Sequence, residues 1–445
     1  MNSLKDGNKS NTYSIYGECL RATDFTPQDD TYIPYSEDFS KLKTNKKIGK
    51  IKAPNRIAYQ PMEGQDADTN GNPTEITTQR YKALGEGGAG IIWFEAVAVT
   101  EEGRSNPNQL IIRDDNLDVF KALVENIKES CFKKNSYEPV VIMQMTHSGR
   151  YSKPNGKPQP IVAYRNPDID TADKILNIAT DSYLSSLTEK YVKSAVLANK
   201  AGFDGVDVKC CHGYLFEELL SAFDREGIYG GSFENRTKIL CDTVKAVSDV
   251  LPEPIKAVRL NLFDGYGTKY SFCEGKNGEM FNLSEADKLI SQLEKRGVLL
   301  LNATMGSPYR NPDVSRPYRK GLETPKADAL YSLTRAFKGA FEIHKKHENF
   351  ALVNTGISLL GRLSPYAAAG LVNENMTDFV GFGRMSFAYP SLARDILNGD
   401  FQEKLACIAC SGCSTLKKNQ LKSGCIVRNE FYKDIYKDFI KGEDR

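Results

Sequence analysis

The sequence has no long apolar run. The roughly 18–20 consecutive apolar residues that a membrane-spanning helix needs occur nowhere in it. Its opening stretch, MNSLKDGNKSNTYSIYGE, has no apolar core and does not read as a secretory signal. An excess of charge of one sign is missing too. The 59 Lys and Arg face 57 Asp and Glu, a formal net charge of +2, so no whole-protein field favours nucleic acid or an anionic membrane. Ten cysteines in 445 residues are too sparse for a disulfide scaffold. No Gly-rich dinucleotide fingerprint follows the first apolar run, which reads RIAYQPMEG. What is present is 40% hydrophobic residues, enough for a large core. The expectation is a soluble, cytoplasmic, enzyme-sized protein with no nucleic-acid or membrane partner; its oligomeric state is left open.

Composition divides the chain into three. Residues 1–50 are polar and weakly patterned, and read as an irregular N-terminal arm draped over the main domain, its first few residues disordered. From about residue 55 short apolar runs alternate with amphipathic stretches. The runs are 56–60, 90–99, 139–145, 205–209, 254–260, 299–306, 350–356 and 378–383, and helices are expected between them, as at 183–201 and 284–295. Eight near-continuously apolar strands separated by helices predict an α/β fold, a (β/α)8 TIM barrel over 51–400, in preference to an open doubly wound sheet. A cysteine-bearing C-terminal segment, 401–445, follows.

In such a barrel, chemistry collects where the strands end. Those ends read Gln60-Pro61-Met62-Glu63, Glu95-Ala96, Gln144 with His147, Lys209 with His212 and Tyr214, Arg259, Asn302, Asn354-Thr355-Gly356 and Gly383-Arg384. A lone Gln or Arg at a strand end more often caps a loop than binds a ligand. Polar groups converging from strands far apart in sequence point instead to a site. The last two ends carry glycines that let backbone N–H groups approach an anion, and Arg384 can fork onto a phosphate.

Seven ordered motifs sharpen the reading: Asn55-Arg56 with Pro61-Met62, the 87–90 GGAG turn, the 144–150 QMTHSGR run, the 201–207 AGFDGVD run, His212-Gly213-Tyr214-Leu215, the 229–236 YGGSFENR run, and Gly383-Arg384. Together they resemble the old yellow enzyme family of FMN barrels, which includes the N-terminal domain of 2,4-dienoyl-CoA reductase. The resemblance covers roughly residues 50–430. It implies that Pro61, Met62 and Ala96 lie against the flavin ring, that Gln144 bonds its pyrimidine edge and that Arg259 places positive charge near N1 and the C2 carbonyl. It also implies that Gly356, Gly383 and Arg384 hold the phosphate. Glu63 stands where relatives often carry a hydroxyl or thiol.

The fourth strand of the family ends in a substrate-binding His, then His or Asn, then a proton-donating Tyr. Here the slots read Lys209, His212 and Tyr214. The resemblance therefore implies an ene-reductase that adds hydride to an α,β-unsaturated carbonyl compound, a hydrophobic enone such as a 3-oxo-steroid or an enoate. Lys209 and His212 would hold the oxygen and Tyr214 would protonate the α-carbon. Lys209 has a second reading, pairing with a nearby carboxylate. Asp224 and Arg225 either gate the pocket or form a loop ion pair, and Asn235-Arg236 anchors a helix start.

Cys407, Cys410, Cys413 and Cys425 crowd into nineteen residues. Four sulfurs suit a [4Fe–4S] cluster or a tetrahedral zinc, or stand as free thiols. The spacing looks like that of the iron–sulfur site of trimethylamine dehydrogenase. Reductant would then be NAD(P)H over the flavin, or a ferredoxin, flavodoxin or flavoprotein acting through the cluster. Cys210 and Cys211 read as packing residues. Two rivals are an amine dehydrogenase or demethylase exporting electrons through the cluster, and a non-catalytic electron-transfer subunit.

Overall fold

Strands that are apolar at odd and even positions alike must be covered on both faces. A computed structural model, which describes residues 12, 14–16, 30–275, 280–319, 322 and 324–443, contains eight of them. They are β1 (Ile57–Tyr59), β2 (Ile91–Ala98), β3 (Val140–Thr146), β4 (Gly205–Val208), β5 (Ile255–Asn261), β6 (Val298–Thr304), β7 (Ala351–Asn354) and β8 (Phe379–Phe382). All neighbours run parallel in chain order, and β8 pairs back onto β1 through Val380–Ile57, Gly381–Ala58 and Phe382–Tyr59, closing the sheet. The fold is the (β/α)8 barrel that the alternation predicts.

A helix returns the chain after each strand: α1 (Glu75–Glu86), α2 (Leu117–Asn135), α3 (Asp181–Lys200), α4 (Phe233–Val250), α5 (Ser284–Glu294), α6 (Ala329–His344), α7 (Ser364–Asn373) and α8 (Leu392–Asn398). Their starts follow local chemistry. Thr74, Thr180, Ser232 and Asp328 each turn a side-chain oxygen onto the first free backbone N–H groups of α1, α3, α4 and α6. Arg236, one turn into α4, reaches Glu285 at 2.7 Å, so the 229–236 run anchors a helix.

The strands sort their side chains by alternation. Ile57, Tyr59, Ile92, Phe94, Val141, Met143 and Leu352 join the large core shared with the helices. Their neighbours Ala58, Ile91, Trp93, Ile142, Ala257, Val353 and Phe379 form a separate cluster inside the barrel. That inner cluster also takes in Ile48 and Ala53. These belong to an antiparallel hairpin, Lys46–Ile48 with Ile51–Ala53, which leads directly into β1 and so plugs the end of the barrel opposite the strand C-termini. The hairpin straddles the border that composition suggests at residue 50. Upstream, Ile33 and Leu42 are buried and Ser36 N donates to the Tyr366 carbonyl of α7. The first few residues, expected to be disordered, lie outside the described residues.

Two further helices, α9 (Gly412–Lys418) and α10 (Glu430–Glu443), belong to the C-terminal segment. The segment crosses the barrel mouth, where Ser423 N donates to the Gly64 carbonyl at 2.7 Å and Gln65 Nε2 to the Lys417 carbonyl at 3.2 Å. Replacing Ile48 by Ala opens a hole in the barrel plug, and the expected loss is about 2–5 kcal/mol. A lowered urea midpoint with an unchanged slope would report it.

Candidate active site

The C-terminal ends of the strands surround a cavity of about 260 Å³. From β1 and its loop come Gln60, Pro61, Met62 and Glu63, from β3 Gln144, from β5 Arg259, and from beyond β4 Lys209 and His212. The loops after β7 and β8 add Gly356, Gly383 and Arg384. Ala96 and Tyr214 are buried and do not line it. A bulge between Phe94 and Ala96 shifts the alternation of β2 and brings Ala96 into register with Gln144, and the Ala96 carbonyl accepts from Gln109 Nε2.

One carboxylate orders the floor. Asp207 of β4 is fully buried; its Oδ2 accepts from Trp93 Nε1 at 2.8 Å and Gln144 Nε2 at 2.6 Å, and its Oδ1 accepts from Arg259 N at 2.6 Å. Gln144, with its NH2 group held by Asp207, presents a carbonyl oxygen as its remaining acceptor. Arg259 brings a guanidinium whose Nε is buried without a hydrogen-bond partner, and Arg384 donates Nη2 to the Pro317 carbonyl at 2.6 Å while its Nη1 is likewise unpartnered. Burial draws both guanidinium groups below their ordinary range. Orphaned cationic donors lining one cavity call for an anion with several acceptors. Gly356 has φ +99°, in the left-handed region, and a Cβ at Gly383 would stand 3.3 Å from Met62 Sδ. Acceptor, cations and close backbone together fit FMN.

The opposite wall carries the other titratable groups. Lys209 Nζ lies 3.6 Å from the centroid of the Tyr214 ring and 3.7 Å from Glu63 Oε1. Glu63 Oε2 meets Lys417 Nζ of α9 at 2.8 Å. Burial pushes the Glu63 carboxyl up, but the Lys417 and Lys209 ammonium groups outweigh it and hold the carboxyl below its usual range. Burial pulls Lys209 down to about 8, against the opposing pull of Glu63. His212 has φ +68°, and burial together with the Arg259 and Lys209 charges holds its imidazole well below the usual range, hence neutral.

His212 and Gly213 are both left-handed, and this turn carries Tyr214 beneath Lys209, away from the cavity surface. Its hydroxyl lies 3.2 Å from that of Tyr309. Tyr309 lines the cavity and stacks on Tyr151 with centroids 3.7 Å apart. Tyr309, Tyr151 and Lys417 are missed by strand-end reading because they belong to loops and to α9. Glu95 and His147, at strand ends, hold loops instead: Glu95 Oε2 accepts from Gly64 N, and His147 bonds Gly149 N and Tyr183 Oη. Arg225 pairs with Asp181 at 2.6 Å and Asp224 with Lys269 at 2.8 Å, the loop ion pairs.

Cys407, Cys410, Cys413 and Cys425 line one small neighbouring cavity together with Arg384 and Phe387, and Cys413 borders the large cavity as well. Ala409 and Ser411, both with positive φ, curl the loop between the first three sulfurs. Burial pushes Cys413 up to about 12. Among the described residues no group of three or more His, Cys, Asp or Glu is arranged to hold a single metal ion.

The NADH:flavin oxidoreductase / NADH oxidase family model matches residues 44–402. The chain belongs to that family. Membership makes FMN the cofactor and oxidoreductase the class of enzyme. An NADH oxidase of Thermoanaerobacter brockii is 27% identical over 387 residues, 84% of this chain and 54% of that protein, so the chain spans about half that relative's length. Among solved structures, 2-naphthoyl-CoA reductase in complex with 2-naphthoyl-CoA superposes with a TM-score of 0.73 at 20% identity, over 89% of this chain and 58% of that one. Morphinone reductase in complex with tetrahydroNAD gives 0.61 at 21% identity, over 81% and 91%. At such identities these likenesses speak to the fold. No described helix is long and apolar enough to cross a membrane.

Proposed function

We propose that the chain is an FMN-dependent ene-reductase that saturates the activated C=C bond of an α,β-unsaturated carbonyl compound. The observation that carries this reading is the meeting, in one cavity, of a flavin-type half (Met62, Gln144, Arg259, Arg384) with a half holding an ammonium, an imidazole and a phenol (Lys209, His212, Tyr309). Gln144, Arg259, Gly356, Gly383 and Arg384 would hold FMN, with Pro61, Met62 and Ala96, the register neighbour of Gln144, against its ring. Bound FMN supplies the hydride.

The chain's own residues do the rest. Lys209, charged below about pH 8, and His212, neutral and able to donate one N–H, bind the carbonyl oxygen, where negative charge grows as the β-carbon is reduced. The phenols Tyr214 and Tyr309 share a hydrogen bond. Tyr309 faces the cavity and gives its proton to the α-carbon while its hydrogen-bonded partner Tyr214, which burial keeps protonated far above neutral pH, steadies the phenolate, and water returns the proton at the part-exposed Tyr309 hydroxyl. Tyr151 stacks on Tyr309 and fixes its ring. Oxidative attack on a cationic amine is disfavoured, because the Lys209 ammonium in the cavity wall repels such a cation.

The four cysteines support a [4Fe–4S] cluster as the route by which electrons arrive from a ferredoxin-, flavodoxin- or flavoprotein-type donor, with NAD(P)H as the direct alternative. Their shared cavity and the common wall at Cys413 are what favour this over free thiols.

Tyr309→Phe and Tyr214→Phe are each expected to slow reoxidation of reduced enzyme by an enone about 10²-fold or more while leaving flavin reduction intact. Unchanged rates in both would remove the phenols from the mechanism. The same half-reaction should fall as pH rises through about 8, since Lys209 loses its charge there, and Lys209→Met should abolish that limb of the profile. Protein purified anaerobically should contain iron and acid-labile sulfide, both lost in Cys410→Ala; zinc in their place would rule out the cluster.

A further inference from the structure

The cavity's charges do not balance. Its lining includes Lys153, Lys209, Arg259, Arg316, Arg384, Lys417 and Lys418, against a single carboxylate, Glu63, among the described residues. Arg259 and Arg384 are the groups that suit FMN. On the substrate side, Glu63 is shared between two ammonium groups, Lys209 at 3.7 Å and Lys417 at 2.8 Å, which leaves one positive charge uncompensated even before Lys153 is considered. The Lys209 and Glu63 side chains are each only 4% exposed. Removing such charges from water without a full complement of partners is costly, and the arrangement is relieved by a ligand that carries the missing negative charge.

We propose that Lys417, delivered over the barrel mouth by the C-terminal segment, is the specificity-determining residue that makes this pocket select substrates bearing a free carboxylate next to the double bond. The inference rests on the ene-reductase reading of the same pocket and narrows its substrate class from carbonyl compounds in general to unsaturated carboxylates.

Three features support it. Lys209 is held loosely by Glu63 and by the face of Tyr214, so two or three of its N–H donors remain for a ligand. Lys417 is one-third exposed and α9 brings it to the cavity wall beside Ser414 and Gln420. The stacked Tyr151 and Tyr309 rings form an apolar flank for the carbon skeleton. A carboxylate withdraws electrons from its alkene weakly. Two ammonium groups at its oxygens would offset the second negative charge that builds there during reduction, a task one hydrogen-bond donor does poorly. Glu63, held ionised by both lysines, keeps Lys209 and Lys417 together when no substrate is bound.

The test uses the full-length, FMN-loaded oxidised protein and saturated probes that cannot turn over: 3-phenylpropanoate and 3-phenylpropanamide, measured by calorimetry at low salt. The acid is expected to bind at least about tenfold more tightly than the amide, the scale of one charged hydrogen bond. Added salt should weaken binding of the acid and leave the amide unchanged. Lys417→Gln should erase the preference, and Lys417→Arg should restore it. Equal binding of acid and amide by the wild-type protein, or an undiminished preference in Lys417→Gln, would overturn the proposal. Turnover of the unsaturated acid is followed separately. A protein that prefers the acid probe yet reduces no alkene keeps its carboxylate pocket and loses the ene-reductase reading.

Discussion

Barrel closure is the constraint on which everything else depends. When β8 hydrogen-bonds back to β1, eight strand ends separated by hundreds of residues are forced onto one rim. The hairpin at 46–53 seals the other end with Ile48 and Ala53, so the apolar interior is filled from below and the polar ends are left to meet above. Closure also fixes register. Asp207 reaches Trp93, Gln144 and the Arg259 backbone only because β2, β3, β4 and β5 are neighbours. A buried carboxylate satisfied by three donors is a rigid reference point, and it sets how Gln144 and Arg259 face the cavity.

The second organising element comes from outside the barrel. The C-terminal segment lies across the mouth and contributes on both sides of it. Its cysteines border the flavin-type half through Cys413, and its Lys417 borders the substrate half through Glu63. One short helix, α9, thus carries a sulfur ligand candidate near its start and an ammonium near its end. Electron entry and substrate binding on this reading are placed by the same rigid piece, tied to the loop after β1 by Ser423 and Gln65.

The barrel strands were legible because burial on both faces leaves near-continuous apolar runs, and the helices because capping residues precede amphipathic stretches. The hairpin was not: KKIGKIKA is half lysine, and only Ile48, Ile51 and Ala53 hint at a buried side. Several of the residues that line the cavity could be read from strand ends, since Gln144, Arg259, Gly383 and Arg384 follow directly from where apolar runs stop. Tyr214 departed from the cavity surface because two successive left-handed residues, His212 and Gly213, turned it under Lys209. That deviation has no periodic signature.

By itself, the sequence determined the alternation of strands and helices, the family motifs and the chemical types at the strand ends, because each follows from local hydrophobic period or a contiguous run of residues. Tertiary structure decided which of those groups share a cavity, that Tyr309 rather than Tyr214 reaches its surface, and that a lysine on α9 completes an ion bridge with Glu63 and Lys209. Such contacts join segments with no local relation, and only the path of the chain across the closed barrel brings them within reach.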